Sequence, residues 1–164
     1  MENIITTYPT DAKTFYTLLH EQLTALLDPS LPQVSNLANA SALLFYALRN
    51  INWAGFYLMH QGALVLGPFQ GKVACTRIAI GKGVCGTAVS ENRILCVPDV
   101  HAFPGHIACD SASNSEIVLP LHDAAGNVAA VLDIDSPQPA RFGSDDVYGL
   151  EEIARLIEKA VFIH

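Results

Sequence analysis

The sequence predicts an α+β domain: a central antiparallel sheet with N- and C-terminal helices on one face and an active-site loop region on the other. Three features predict it. Apolar residues recur at helical spacing near both ends of the chain. Between them, runs rich in β-branched and aromatic residues alternate with Gly, Asp and Pro turn signals at hairpin spacing. One long stretch after Pro98 holds small and polar residues with no periodicity, and reads as a loop inserted between strands. The 164 residues are read as one domain, with helices to about residue 50, sheet and loops over 51–135 and a closing helix over 144–163.

The first helix is expected over residues 10–27, where Phe15, Leu18, Leu19, Gln22 and Leu26 follow helical spacing and Leu23 and Leu27 widen the face. Asp28, Pro29 and Ser30 stop it. Pro32 suits the first turn of a second helix reaching about Arg49, with a stripe of Val34, Leu37, Ala38, Leu44, Phe45 and Leu48. Aromatic-rich residues 51–59 predict a strand, 60–62 a hairpin turn and 63–68 its return. A third strand is expected at about 73–80. Gly81-Lys82-Gly83 then turns into a short helix over about 84–91, and 94–97 is a short strand that Pro98 ends. Residues 116–121 and 127–135 form a hairpin across 123–126. Ser144 is the expected N-cap of the last helix, with Asp145 and Asp146 complementing its dipole and Val147, Leu150, Ala154, Ile157 and Val161 buried.

Composition narrows the function. Hydrophobic residues at 51% and charged residues at 15% mark a globular chain. A net charge of −7 disfavours a nucleic-acid backbone or an anionic membrane surface as partner. No apolar run approaches the roughly 20 residues that span a bilayer. The N-terminal residues lack the basic start and apolar block of a secretion signal, which predicts a cytoplasmic protein with reduced thiols. Four cysteines (Cys75, Cys85, Cys96 and Cys109) then suggest catalysis, redox chemistry or metal binding over a disulfide framework.

Cys109 lies in the small-residue loop between His106 and Asp110, with nothing bulky before Glu116 to screen it; it is either a reactive thiol or a small buried hydrophobe. Gly81-Lys82-Gly83-Val84-Cys85-Gly86 spells a dinucleotide fingerprint, but the hairpin context lacks the βαβ unit that such a site needs. Zinc from the cysteines with His101 and His106 is disfavoured: spacings of 10, 11 and 13 residues between successive cysteines contain no CxxC pair. In Val131-Leu132-Asp133-Ile134-Asp135 the period of two puts both carboxylates on one strand face. That face is either solvated or turned into a cavity, where Glu116 from the neighbouring strand would join it. Three carboxylates in one pocket repel one another and favour a cation between them, an ammonium group or a metal ion. Trp53 and Tyr57 share a face of the first strand, as core packing or as an aromatic wall for a small apolar or sulfur-bearing group.

Six blocks, in order, resemble the free methionine-(R)-sulfoxide reductases, which are stand-alone GAF domains: Ile51-Asn-Trp-Ala-Gly-Phe-Tyr-Leu, Leu66-Gly-Pro-Phe-Gln-Gly-Lys-Val-Ala-Cys75, Gly83-Val-Cys-Gly-Thr-Ala88, Gly105-His-Ile-Ala-Cys-Asp110, Ser113-Asn-Ser-Glu-Ile-Val-Leu-Pro-Leu121 and Val131-Leu-Asp-Ile-Asp-Ser136. The similarity runs from about Leu37 to Lys159. It implies a GAF fold, a homodimer, and reduction of free methionine-R-sulfoxide with thioredoxin as external reductant and no bound cofactor. By the same resemblance Cys109 is the catalytic cysteine, Cys75 the principal resolving cysteine and Cys85 the third family cysteine. Trp53 and Tyr57 would hold the substrate's methyl end, and Glu116, Asp133 and Asp135 would receive its polar end. Cys96 has no counterpart in the family pattern and reads as structural. The competing class is a GAF module that binds a small ligand, such as a cyclic nucleotide or an amino acid, without turnover.

Overall fold

A computed structural model of the protein describes residues 7–105 and 111–163. Two helices lead: α1, Ala12–Leu26, and α2, Gln33–Ala47. Then follow the strands β1, Trp53–His60, β2, Ala63–Gly71, and β3, Arg77–Ala79, the helix α3, Gly83–Glu91, and the strand β4, Leu95–Val97. A single 3-10 turn, Val100–Ala102, precedes β5, Ser115–His122, and β6, Val128–Ser136, and α4, Ser144–Val161, closes the chain. The six strands form one sheet in the order β3-β2-β1-β6-β5-β4, every neighbouring pair antiparallel. The predicted α+β class and the order of elements hold.

Two hydrophobic clusters lie on opposite faces of this sheet. On one face α1, α2 and α4 pack Leu19, Leu23, Leu37, Leu44, Leu150, Ile153 and Ile157 against Ala54, Phe56, Ile117, Leu119, Leu132 and Ile134. On the other, α3 and the loops enclose a smaller cluster of Trp53, Tyr57, Leu64, Ile78, Val84, Val118 and Val131. The alternation along β1 and β6 explains the division: odd and even positions of each strand serve different cores.

Local chemistry sets the ends of the elements. Asp11 caps α1 by accepting from the Thr14 amide at 2.8 Å. The hairpin between β1 and β2 turns on Gln61 (φ 48°) and Gly62 (φ 77°), the paired positive φ values of a tight hairpin turn. Pairing of β1 with β2 shifts register between Gly55 and Tyr57, opposite Gly67 and Pro68, so an irregularity accommodates a proline that cannot donate to the ladder. Pro120 on β5 is tolerated for a related reason: β4 is three residues long and pairs only with 116–118, so Pro120 lies beyond its reach.

Three local expectations are corrected. The strand expected over 73–80 shrinks to Arg77–Ala79, because residues 72–76 form an irregular strap that leaves the sheet. The N-cap of α4 is Gly143 rather than Ser144: Asp146 Oδ2 accepts from the Gly143 amide at 2.9 Å, which starts the helix one residue earlier. The buried face of α2 is Leu37, Ala40, Ser41, Leu44 and Ala47, whereas Val34, Ala38 and Phe45 of the expected stripe are exposed. Two apolar stripes compete on this helix, and the one with small residues lets it approach the sheet closely.

Candidate functional site

The site grows out of β1, β5 and β6. Cross-strand register sets Trp53 opposite Asp135 and Asp135 opposite Glu116, a single row over three strands. The next row is Gly55, Asp133 and Val118, and Tyr57 lies opposite Val131 in the third. All these positions lie on the face away from the main core, and of the two readings left open for Asp133 and Asp135, solvated or turned into a cavity, the structure has the second. The cavity measures about 40 Å³ and is lined by Trp53, Tyr57, Cys85, Glu116, Asp133 and Asp135, with Ser113, Lys82 and the strap residues Val73 and Ala74 completing it.

Glycine makes room for the aromatic wall. A Cβ on Gly55 would stand 2.8 Å from the Trp53 ring, and one on Gly71 would stand 2.6 Å from it. The indole is stacked between Tyr57, with ring centres 5.9 Å apart, and Phe69, at 5.2 Å. Both polar handles of the wall point at the strap. Trp53 Nε1 donates to the Lys72 carbonyl at 3.2 Å and the Tyr57 hydroxyl donates to the Cys75 carbonyl at 3.0 Å. Cys75 is disulfide-bonded, and Cys85 and Cys96 are free thiols.

The acid wall is buried. Glu116 and Asp133 are 7% and 6% exposed. Burial pushes the Glu116 carboxyl well above the usual range, and the charges of Asp133 and Asp135 push it the same way. Burial raises Asp133 to about 6, against hydrogen bonds from Cys85 and Glu116 that lower it. Both shifts favour the protonated form, most strongly at Glu116, so the two carboxyls titrate as a pair that resists carrying two charges. Asp133 Oδ1 has no hydrogen-bond partner among the described residues. A buried acceptor left in that state awaits a donor. The Cys85 thiol, 3.9 Å from Glu116 Oε1, is raised by burial and then by Asp133 and Glu116, so it stays protonated. Burial also raises the Tyr57 phenol, with Asp133 adding to it.

Of the eight residues singled out in the sequence, six line this cavity: Trp53, Tyr57, Cys85, Glu116, Asp133 and Asp135. Cys75 sits at the end of the strap that covers it, held by Tyr57. Cys109, with His106 and Asp110, lies outside the described residues. Ser113 was missed; it lines the cavity and accepts from Asn52 Nδ2 at 3.1 Å. Its sequence signals are its place three residues before Glu116 and its position at the head of the block Ser113–Leu121. Cys96 is apart from the site, on edge strand β4, donating to the Phe142 carbonyl at 3.4 Å.

A sheet with three helices on one face and a polar-lined recess on the other is the frame of a small-molecule-binding domain, and residues 22–161 match the GAF domain family, to which the chain belongs. Within it, the chain is 52% identical over 147 residues to the free methionine-R-sulfoxide reductase of Escherichia coli (strain K12), covering 90% of this chain and 88% of that one. The fRMsr of Staphylococcus aureus in its reduced form superposes with a TM-score of 0.87 at 50% identity, over 96% of this chain and 99% of that one. The free methionine-R-sulfoxide reductase of Neisseria meningitidis in complex with its substrate gives 0.89 at 40% identity, over 98% and 96%. The protein is a member of the free methionine-R-sulfoxide reductase family.

Proposed function

We propose that the protein reduces free L-methionine-(R)-sulfoxide to methionine, with Cys109 as nucleophile and Cys75 as its resolving partner. The observation that carries this reading is the acid wall of Glu116, Asp133 and Asp135 facing the aromatic wall of Trp53 and Tyr57 across one cavity, under a strap that ends at an oxidised Cys75. The substrate's ammonium supplies the donor that buried Asp133 Oδ1 lacks. Its methyl sulfoxide end lies against the indole and phenol rings. A peptide-bound methionine sulfoxide has no ammonium, and would leave the carboxylates buried without a counter-charge.

The chemistry balances as follows. The Cys109 thiolate attacks the sulfoxide sulfur, the sulfoxide oxygen takes up one proton and passes to the cysteine sulfur as its bond to the substrate breaks, so that methionine leaves and Cys109 becomes a sulfenic acid. Neutral Glu116 is a proton source for the sulfoxide oxygen. The Cys75 thiol then condenses with the sulfenic acid, releasing water and forming the Cys75–Cys109 disulfide, and the dithiol of thioredoxin reduces it by exchange. A Cys75 already in a disulfide, with Cys85 and Cys96 both free, supports this pairing. Cys85 is buried and held protonated by its acidic neighbours, which suits a secondary role in resolution. No bound cofactor is needed, and the thiol cycle suits the reducing cytoplasm. The exposed Leu31, Val34 and Tyr46 beside Phe45 support a homodimer that covers α2.

Coupling to NADPH through thioredoxin and its reductase tests the reading. Consumption is expected with the free R epimer and not with the S epimer or an N-blocked substrate, and Cys109→Ser abolishes it. A domain that only binds its ligand would leave NADPH untouched with every epimer.

A further inference from the structure

The pocket carries a second chemistry. Cys85 Sγ, a Glu116 oxygen and an Asp133 oxygen lie within 4.8 Å of one another, all three side chains buried. Cys85 Sγ lies 3.9 Å from Glu116 Oε1. A tetrahedral zinc with Zn–S near 2.3 Å and Zn–O near 2.0–2.2 Å holds its sulfur and oxygen ligands roughly 3.5 Å apart. The Cys85–Glu116 pair therefore needs to close by only a few tenths of an ångström, and no pair of the three by more than about 1.3 Å, within reach of side-chain rotation. Asp133 Oδ1, buried and unpartnered among the described residues, is an independent sign that a ligand belongs here. The adjoining cavity of about 40 Å³ has room for the water that fills a fourth position. One thiolate with two carboxylates suits a borderline-soft divalent ion better than calcium or magnesium, which want oxygen alone.

We propose that Cys85, Glu116 and Asp133 form a reversible three-ligand site for Zn²⁺ inside the substrate pocket, so that the metal ion and the free amino acid exclude each other. Occupancy by zinc silences the enzyme without touching Cys109 or Cys75. The exclusion rests on the reading of this cavity as the site of free methionine sulfoxide; the metal site itself does not.

The test uses the full chain with its disulfide intact, so that Cys75 is removed from metal chemistry. Co²⁺ is titrated first, as a chromophoric stand-in, followed by Zn²⁺ against an indicator dye. One equivalent should bind, and Co²⁺ should develop a thiolate-to-metal charge-transfer band in the near ultraviolet. Cys85→Ser should abolish the band. Glu116→Gln and Asp133→Asn, both isosteric, should each weaken binding at least as much as the roughly 10–100-fold lost with an outer-sphere partner. Cys96→Ser should change neither stoichiometry nor spectrum. A charge-transfer band that survives in Cys85→Ser, or a zinc affinity indifferent to both carboxamide variants, overturns the site. Displacement is read in the full chain carrying Cys75→Ser and Cys109→Ser, which can neither close the disulfide nor turn the substrate over: if zinc binds there as described but free methionine sulfoxide does not displace it, the metal site stands and the assignment of the cavity to that substrate falls.

Discussion

At the scale of single residues, Asp133 is the most consequential side chain described. Its carboxyl is raised to about 6 from an ordinary 3.8, chiefly by burial. The unfolded chain therefore binds fewer protons than the folded one between those values, and stability falls as pH rises from about 4 to 6. Asp133→Asn should raise the stability of the substrate-free protein at pH 7 by on the order of 2 kcal/mol, an advantage that vanishes below pH 4. Denaturant melts of both proteins at the two pH values check this. The same variant should lose substrate affinity, with KM rising steeply and alkylation of Cys109 unchanged. The pairing of Asp133 with Asp135 was legible in the sequence because the period of a strand is two. That Ser113 joins them was not, since its neighbours carry no periodicity and only the fold brings it beside Asn52.

At the scale of elements, the strap 72–76 matters most. Trp53 and Tyr57 reach it with their one polar atom each, so the wall we propose for substrate contact also holds the segment that carries Cys75. Tyr57→Phe removes the bond to the Cys75 carbonyl while keeping the ring. A net hydrogen bond of this type contributes about 1 kcal/mol. The first turnover, read as methionine released per enzyme without reductant, should be nearly unchanged, while the steady-state rate with thioredoxin falls roughly fivefold as disulfide formation slows. Equal loss in both measurements would make Tyr57 a substrate residue only. Gly55→Ala should displace the indole, because the new methyl has no space beside it, and should raise KM by roughly tenfold through a lost packing contact. Sequence periodicity placed every strand and helix, yet extended the third strand over this strap: residues such as Val73 and Ala74 fit a strand by composition, and only tertiary hydrogen bonds draw them off the sheet.

At the scale of the whole molecule, the cavity of about 40 Å³ is too small for an amino acid; pockets for small molecules usually measure roughly 300–1,000 Å³. If the cavity takes the substrate as proposed, the oxidised form with its disulfide at Cys75 is too tight to admit it, and reduction is expected to loosen the strap before another turnover. Hydrogen exchange should show amides of 72–76 losing protection when the disulfide is reduced, with the helical face unchanged. Equal protection in both redox states would refute such opening. On the opposite side, Phe45→Glu on the exposed stripe of α2 should shift the mass in solution from dimer to monomer without loss of secondary structure. The α+β class was readable because helices and hairpins segregate along the chain. The partner of α2 was not, because its two apolar stripes look alike in one dimension.

β6 answers to two masters. Leu132 and Ile134 belong to the helix-covered core while Asp133 and Asp135 belong to the pocket, on alternate positions of one unbroken strand. Substitutions there can be absorbed one at a time, but a single-residue insertion or deletion would drive both carboxylates into oil and bare two aliphatic side chains to the pocket. Over evolutionary time such a segment should drift in letters and never in length.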